Sequence, residues 1–255
     1  QASQEDHLSA MMRVAVISDV HANVLALEAV LADIARHDVE KILNLGDHFA
    51  GPLWPNKTAS VMAGLDMVAI RGNTDRYLAE GDADLLDAED LKIIDAIEGE
   101  PMDWLRQLPE TAVYADAIFM SHGTPRSDET YWLDRKVKKQ GFRRSTVEEI
   151  EAELPHADYP LYCCGHTHIA RVVTLSDGRI VFNPGSVGRP SFNMNDPESA
   201  ARLSPAAAYA IVEMSAGKWH VNLRQVAYDN MAASAMARAW GNETWARDLA
   251  EGRTR

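Results

Sequence analysis

Five short stretches carry residue types that could do chemistry together: SDVH (Asp19, His21), LGDH (Asp47, His48), RGNTD (Asn73), MSHG (His122) and CGHTH (His166, His168). Each follows a short apolar run, and most lie beside a glycine. Asp19 and His21 are two apart, as are His166 and His168, so each pair projects to one side of a locally extended chain. Divalent ions need a carboxylate to neutralise charge and imidazoles to complete the shell. Two ions about 3.5–4 Å apart need a bridging carboxylate, and in-line attack on phosphorus needs a hydroxide held between them. The seven donors Asp19, His21, Asp47, Asn73, His122, His166 and His168 fill two such shells and leave room for water and substrate. Singly, a histidine near a strand end is an ordinary core or surface residue, and Gly-Asn or Gly-Asp is a turn. Five such stretches in order make the pattern informative.

The elements around them alternate. RVAVIS reads as a buried strand, and Val24, Leu27, Leu31 and Ile34 then recur at helical spacing with Asn23 placed to cap. KILNL is a second strand, residues 57–65 a short helix, and MVAI a third strand. Strand, helix, strand, helix, strand reads as a parallel α/β sheet, where ligands bind beyond the carboxyl ends of strands. Residues 83–108 look helical with Pro101 as punctuation. The second half is strand-rich, with SDGR and SAGK turns typical of hairpins. One α/β domain with a mixed second sheet is the economical reading.

Composition narrows the class. The chain has 255 residues, enough to bury a sizeable core, and its net charge of −13 disfavours broad attraction to nucleic acid or anionic membrane. Two adjacent cysteines, Cys163 and Cys164, give no disulfide framework, so a reducing, cytoplasmic setting is expected. No stretch approaches the ~20 apolar residues of a membrane helix. Residues 1–11 are polar and read as a frayed leader or cloning remnant, with Met11 or Met12 as the natural start. The domain is expected over 12–228, and the Ala- and Met-rich residues 229–255 as a helical tail that Gly241-Asn242 breaks. Its Met231, Met236, Trp240 and Trp245 are expected to pack on the domain or on a subunit interface, which leaves a homo-oligomer open.

The order D-x-H, G-D, G-N-[HCT]-D, H-G, G-H-T-H resembles the signature of the calcineurin-like metallophosphoesterase superfamily over roughly residues 12–228. SDVHANVLALEAVLADI, HGTPR and NPGSVGRP look like a bacterial branch related to diadenosine tetraphosphate hydrolases and small phosphodiesterases. The resemblance implies a four-layer α/β/β/α sandwich with two mixed sheets. It implies one metal on Asp19, His21, Asp47 and His168 and another on Asp47, Asn73, His122 and His166, with Asp47 as the bridge. Mn²⁺, Fe, Zn²⁺, Co²⁺ and Ni²⁺ are used across the family. With no thiolate among the donors, Mn²⁺ or Fe is expected.

Many members of that superfamily carry a histidine where Thr74 stands, to stabilise the transition state or protonate the leaving oxygen. A threonine hydroxyl donates a hydrogen bond but is far too weak an acid for that step. Either the leaving group is already good, or another residue supplies the proton; His48 is the nearest in sequence, against a plain loop role in solvent. The expected substrates are therefore small phosphodiesters or phosphoanhydrides, dinucleotides among them, rather than alkyl monoesters. A phosphomonoesterase resembling protein phosphatases is the alternative. A third reading is a non-catalytic scaffold such as the retromer-coat subunit of this fold, but a scaffold should have lost some of the seven donors.

Other residues carry two readings each. Asn23 touches a substrate phosphate, caps its helix, or does both. Arg126 clamps a phosphate or is a solvated loop arginine. NPGSVGR is a tight turn whose Ser186 or Arg189 could reach the site. Residues 135–144, with six of the 25 Lys and Arg, guide phosphates or form a solvated face, and the two cysteines pack in a strand.

Overall fold

The first strand, β1 (Arg13–Ile17), is buried from Val14 onward and has partners on both sides. It runs parallel to β2 (Lys41–Asn44), which runs parallel to β3 (Met67–Ala69). On its other edge it pairs antiparallel with β11 (Ala207–Ser215), itself paired with β12 (Lys218–Val226). The first sheet thus has the order β12-β11-β1-β2-β3. These relations come from a computed structural model, which describes residues 12–81, 86–137, 141–190 and 204–252. The expected leader at 1–11 lies outside them.

A second five-stranded sheet is built from β4 (Thr111–Tyr114), β5 (Ile118–Ser121), β8 (Leu161–Cys163), β9 (Arg171–Thr174) and β10 (Ile180–Asn183), in the order β4-β5-β8-β10-β9. It is also mixed: β5, β8 and β10 are parallel, and β4 and β9 close it antiparallel. The period-two alternation of β1 decides the layers. Val14 and Val16 face Ile118, Met120, Leu161, Cys163 and Phe182 of the second sheet. Ala15 and Ile17 face the opposite way, into a core with α1 (Val24–Ile34), α2 (Pro55–Met62), α3 (Asn73–Glu80), α4 (Ala88–Ala96) and α5 (Glu100–Gln107).

On the far face of the second sheet, Phe119, Tyr162 and Val181 pack on Trp132, Leu133 and Ile150. Ile150 belongs to α6 (Val147–Glu151), which lies beside the hairpin β6 (Asp134–Val137)–β7 (Gly141–Arg144). The result is the expected four-layer α/β/β/α sandwich. Cys163 and Cys164 are buried free thiols, and burial raises the pKa of both, so packing is their role.

The helix boundaries depart from expectation for local reasons. The helix expected at 57–65 is Pro55–Met62, because Pro55 starts it and Gly64 follows it. The helical stretch 83–108 divides at Gly99, whose φ of 90° suits glycine; residues 82–85 are outside the described set. The helix α3 was not anticipated, since RGNTD reads as a turn. The tail is two helices, α7 (Asn230–Ala239) and α8 (Glu243–Glu251), separated at Gly241 and capped by Asp229 and Asn242. Met236, Trp240 and Trp245 pack on the domain, whereas Met231 is exposed. Among the described residues no helix is long and apolar enough to cross a membrane.

Candidate metal centre

Five loops leave the carboxyl ends of β1, β2, β3, β5 and β8 on one side of the two sheets, and each delivers donors to one place. Backbone bonds stitch the loops together: Asp19 N–H donates to Gly46 O, His21 N–H to Asp47 O and Gly165 N–H to His122 O, all at 2.8–2.9 Å. The chain turns sharply to aim the side chains. Asp19, His21, Asp47, His166 and His168 all have φ between 46° and 67°, the left-handed region that costs a residue bearing a Cβ. Five of the seven predicted donors thus carry backbone strain, at positions whose Asp and His side chains tolerate it best.

The close approach needs glycine twice over. A Cβ on Gly72 would collide with Asp47 Oδ1, and one on Gly165 with Ser18 Oγ and Asp19 Oδ2.

Asp19, His21 and His168 form one group with donor atoms mutually within 4.8 Å, and Asp19, Asp47 and His122 form another. His168 Nε2 is 3.2 Å from Asp19 Oδ1 and 3.2 Å from His21 Nε2. Asp47 Oδ2 stands between two imidazoles, 3.6 Å from His21 Nε2 and 3.5 Å from His122 Nε2. His122 Nε2 also lies 3.1 Å from Asn73 Oδ1. His166 stacks at 4.7 Å on Tyr131, with its ring 5.1 Å from that of His122 and its Nε2 3.1 Å from Glu129 O. Five of the seven predicted donors, Asp19, His21, Asp47, His122 and His168, thus fall in the two close groups, and Asn73 and His166 flank them at His122.

The tautomers suit metal ions. His21 Nδ1 faces Ala50 O at 2.7 Å and His122 Nδ1 faces Leu45 O at 2.8 Å. A carbonyl only accepts, so each Nδ1 carries the proton and each Nε2 points inward. Burial would raise the Asp19 carboxyl, but His168 outweighs it and holds the group at about 2. Burial likewise opposes ionisation of Asp47, yet His122, His21 and His166 hold it well below the usual carboxylate range. Burial pushes His168 down to about 4, against Asp19, and burial with His122 pushes His166 down to about 4.

His122 goes the other way: burial disfavours its charge, but Asp47 and Asp19 push it up to about 10. The field at its Nε2 favours a positive charge. Asp19 Oδ1 is buried with no hydrogen-bond donor in good geometry. Two ionised carboxylates, inward-facing imidazoles and an oxygen short of donors fit a cation centre.

The other predicted site residues fall elsewhere. His48 does not face solvent. It is fully buried, its Nδ1 2.8 Å from Asp75 Oδ2 and its ring edge-on to Trp104 at 4.8 Å. Thr74 N–H donates to Asp47 Oδ1 at 3.1 Å, and its hydroxyl oxygen is buried without a partner. Asn23 is fully buried: its oxygen caps Ala26 N–H, and its amide donates to Gly188 O and Tyr228 Oη. That favours the cap over the phosphate contact.

Arg126 turns away to the segment just past α6, donating to Ala152 O, Leu154 O and Glu153, with its side chain 56% exposed. Ser186 Oγ donates to Asp19 O, so the NPGSVGR turn braces the site through backbone. In the basic segment, Arg135 and Arg143 bond α6 through Glu149, and residues 138–140 lie outside the described set.

Two contributors escaped the sequence. Asp75 accepts from the N–H groups of Gly72, Asp47 and His48. An acid three residues after Gly72 is a helix-start signal that could have marked it. Trp245 of α8 lies edge-on to His21 at 5.7 Å, and nothing local in the sequence signals that.

Fold and site together define a metal-dependent phosphoesterase, a hydrolase. Residues 12–207 match the calcineurin-like phosphoesterase superfamily domain, and the chain belongs to that superfamily. It is 27% identical to a metallophosphoesterase from Sphaerobacter thermophilus, whose crystal structure superposes with a TM-score of 0.73 over 94% of this chain and 99% of that one. An uncharacterized protein of Methanocaldococcus jannaschii is 28% identical over 204 residues, covering 71% of this chain and 79% of its own length.

Proposed function

We propose that the chain is a dinuclear-metal phosphohydrolase that cleaves phosphodiester or phosphoanhydride bonds of small nucleotide-like substrates. The observation that carries this reading is Asp47 Oδ2, set 3.6 and 3.5 Å from imidazole nitrogens of different donor groups, as a bridging carboxylate must be. Asp19, His21, Asp47 and His168 would hold one ion, and Asp47, Asn73, His122 and His166 the other. Two divalent ions, Mn²⁺ or Fe by donor type, would supply Lewis acidity toward the phosphoryl oxygens and activate a water for in-line attack.

The chain's own residues do the rest. The carbonyls of Ala50 and Leu45 fix the two Nδ1 protons, so His21 and His122 keep their inward nitrogens as donors. Thr74 holds Asp47 by its backbone N–H, and its buried hydroxyl is far too weak an acid to protonate a leaving oxygen. His48 is enclosed by Asp75, Phe49 and Trp104, which suits positioning rather than acid catalysis. Without an imidazole acid, a substrate whose leaving oxygen is already weakly basic reacts best. We read the setting as reducing and cytoplasmic, a reading supported by a chain whose two cysteines, Cys163 and Cys164, form no disulfide.

The test is hydrolysis by EDTA-stripped, Mn²⁺-reloaded protein of bis-p-nitrophenyl phosphate, diadenosine tetraphosphate and p-nitrophenyl phosphate, with Asp47→Asn as the blank. Metal-dependent cleavage of the first two ahead of the third, lost in the blank, is expected. A preference for the monoester overturns the substrate class. Failure on all three, also with Fe²⁺, Zn²⁺, Co²⁺ and Ni²⁺, overturns the reading.

A further inference from the structure

We infer that Trp245, in the C-terminal helix beyond the residues matched to the family, is a positioning residue for His21. Through it α8 sets how tightly the Asp19–His21–His168 group holds its ion. The inference rests on the reading of that group as metal ligands.

Outside the cluster, the hydrogen bond that holds the His21 ring runs from Nδ1 to Ala50 O at 2.7 Å; its Nε2 meets the other members of the cluster, His168 Nε2 at 3.2 Å and Asp47 Oδ2 at 3.6 Å. A tilt about the Nδ1 contact moves Nε2 off the position it shares with Asp19 and His168. Two aromatic neighbours limit the tilt. The His168 ring stands 5.0 Å away at 53°, and the Trp245 ring 5.7 Å away at 83°, the edge-to-face geometry that aromatic pairs favour. Gly51, next to the carbonyl that orients His21, completes the fit: a Cβ there would press on the Trp245 ring and on His21 O.

Trp245 is itself clamped. The Arg189 guanidinium lies 4.2 Å over its ring, and the same guanidinium donates to Asp248 Oδ2 at 2.9 Å, one turn further along α8. Arg189 belongs to the turn in which Ser186 Oγ accepts from Arg189 N–H and donates to Asp19 O. The clamp on the tryptophan and the brace on a ligand backbone are thus one piece of chain. Ser234 Oγ donates to Ala246 O, and Asn242 donates to Glu89 on α4, so the helix is tied at further points. Trp245 also belongs to the buried cluster of the helix pair, with Ala233, Ala237, Ala246 and Leu249, so its packing role has to be separated from its contact with His21.

The experiment is a Mn²⁺ titration of EDTA-stripped full-length protein by calorimetry, with apo-protein melting as a folding check. Wild type is compared with Trp245→Ala, the conservative Trp245→Phe, and Leu249→Ala, which removes core packing but no contact with His21. Trp245→Ala should weaken one of two Mn²⁺ sites by at least about tenfold, as loss of an outer-shell partner does, while the other site holds. Trp245→Phe should recover most of the loss. Leu249→Ala should lower the melting temperature without a comparable loss at one site. Equal affinity in Trp245→Ala and wild type, or an equal loss in Leu249→Ala, overturns the inference. If wild type itself binds no Mn²⁺, the metal-centre reading fails instead, and the two failures are distinguishable.

Discussion

Asp75 holds the imidazole of His48 at 2.8 Å, and the same buried carboxylate accepts N–H groups from Gly72, Asp47 and His48. One side chain therefore fastens the loop after β2 to the loop after β3, which bring in Asp47 and Asn73. Asp75→Asn replaces an acceptor oxygen with an N–H₂ that faces other donors. Loss of these buried bonds should cost about 1–3 kcal/mol in urea unfolding. A shifted Asp47 should weaken Mn²⁺ binding by at least about tenfold. Unaltered binding would mean that the backbone bonds between Asp19, His21 and the β2 loop suffice to hold Asp47.

The leaving group separates the roles of Thr74 and His48. Thr74→His should raise turnover of alkyl phosphate monoesters more than that of aryl esters, because an alkoxide needs the proton most. His48→Asn keeps an N–H near the place of Nδ1 for Asp75, so it should lower all substrates by a common factor. Rates on alkyl and aryl substrates check both variants. A loss in His48→Asn that grows with leaving-group basicity would make His48 the acid after all.

Metal removal should be visible in stability without any substrate. An ion that binds the native state alone stabilises it by about 2.7 kcal/mol at a free concentration a hundred times its dissociation constant. Thermal melts with Mn²⁺ and with EDTA should therefore separate in wild type and converge in Asp47→Asn. Coincident melts in wild type would argue that the cluster is filled by protons and protein contacts alone.

Away from the site, Asp33 ties α1 to the first sheet: Tyr209 Oη and Arg224 Nε donate to its Oδ2 at 2.7 and 2.9 Å. Burial would raise its pKa, but Arg224 and Tyr209 outweigh that and lower it from 3.8. A carboxyl depressed in the folded state contributes stability above its unfolded pKa and loses that contribution as pH falls through the folded value. Asp33→Asn should cost about 1–3 kcal/mol at pH 7, as expected for charge-assisted bonds. The gap to wild type should shrink as pH drops below about 4. Urea denaturation at pH 7 and pH 3 measures it, and a constant gap would assign the effect to shape rather than charge.

How much of this was legible beforehand depended on whether the signal was local. Strand ends, turns and donor pairs such as Asp19–His21 and His166–His168 are written within a few residues, because β alternation and glycine turns are short-range properties. The two sheets, and the meeting of Asp19, His21, Asp47, His122 and His168 at their strand ends, could therefore be read in advance. Asn23 kept its cap, but its amide was spent on Gly188 and Tyr228, partners 165 and 205 residues away. Arg126 lies four residues after His122 in sequence, yet its guanidinium found the Ala152 and Leu154 carbonyls just past the end of α6.

The sequence by itself determined the chemistry available: carboxylates, imidazoles and an amide at strand ends, and threonine where an acid could stand. Only the tertiary structure decided that Asp47 lies between two imidazoles, that His48 is sealed against Asp75, and that a tryptophan from the last helix meets His21. Those outcomes depend on which long-range partners a side chain reaches once two sheets and their loops pack at near-crystalline density, and no local pattern encodes that.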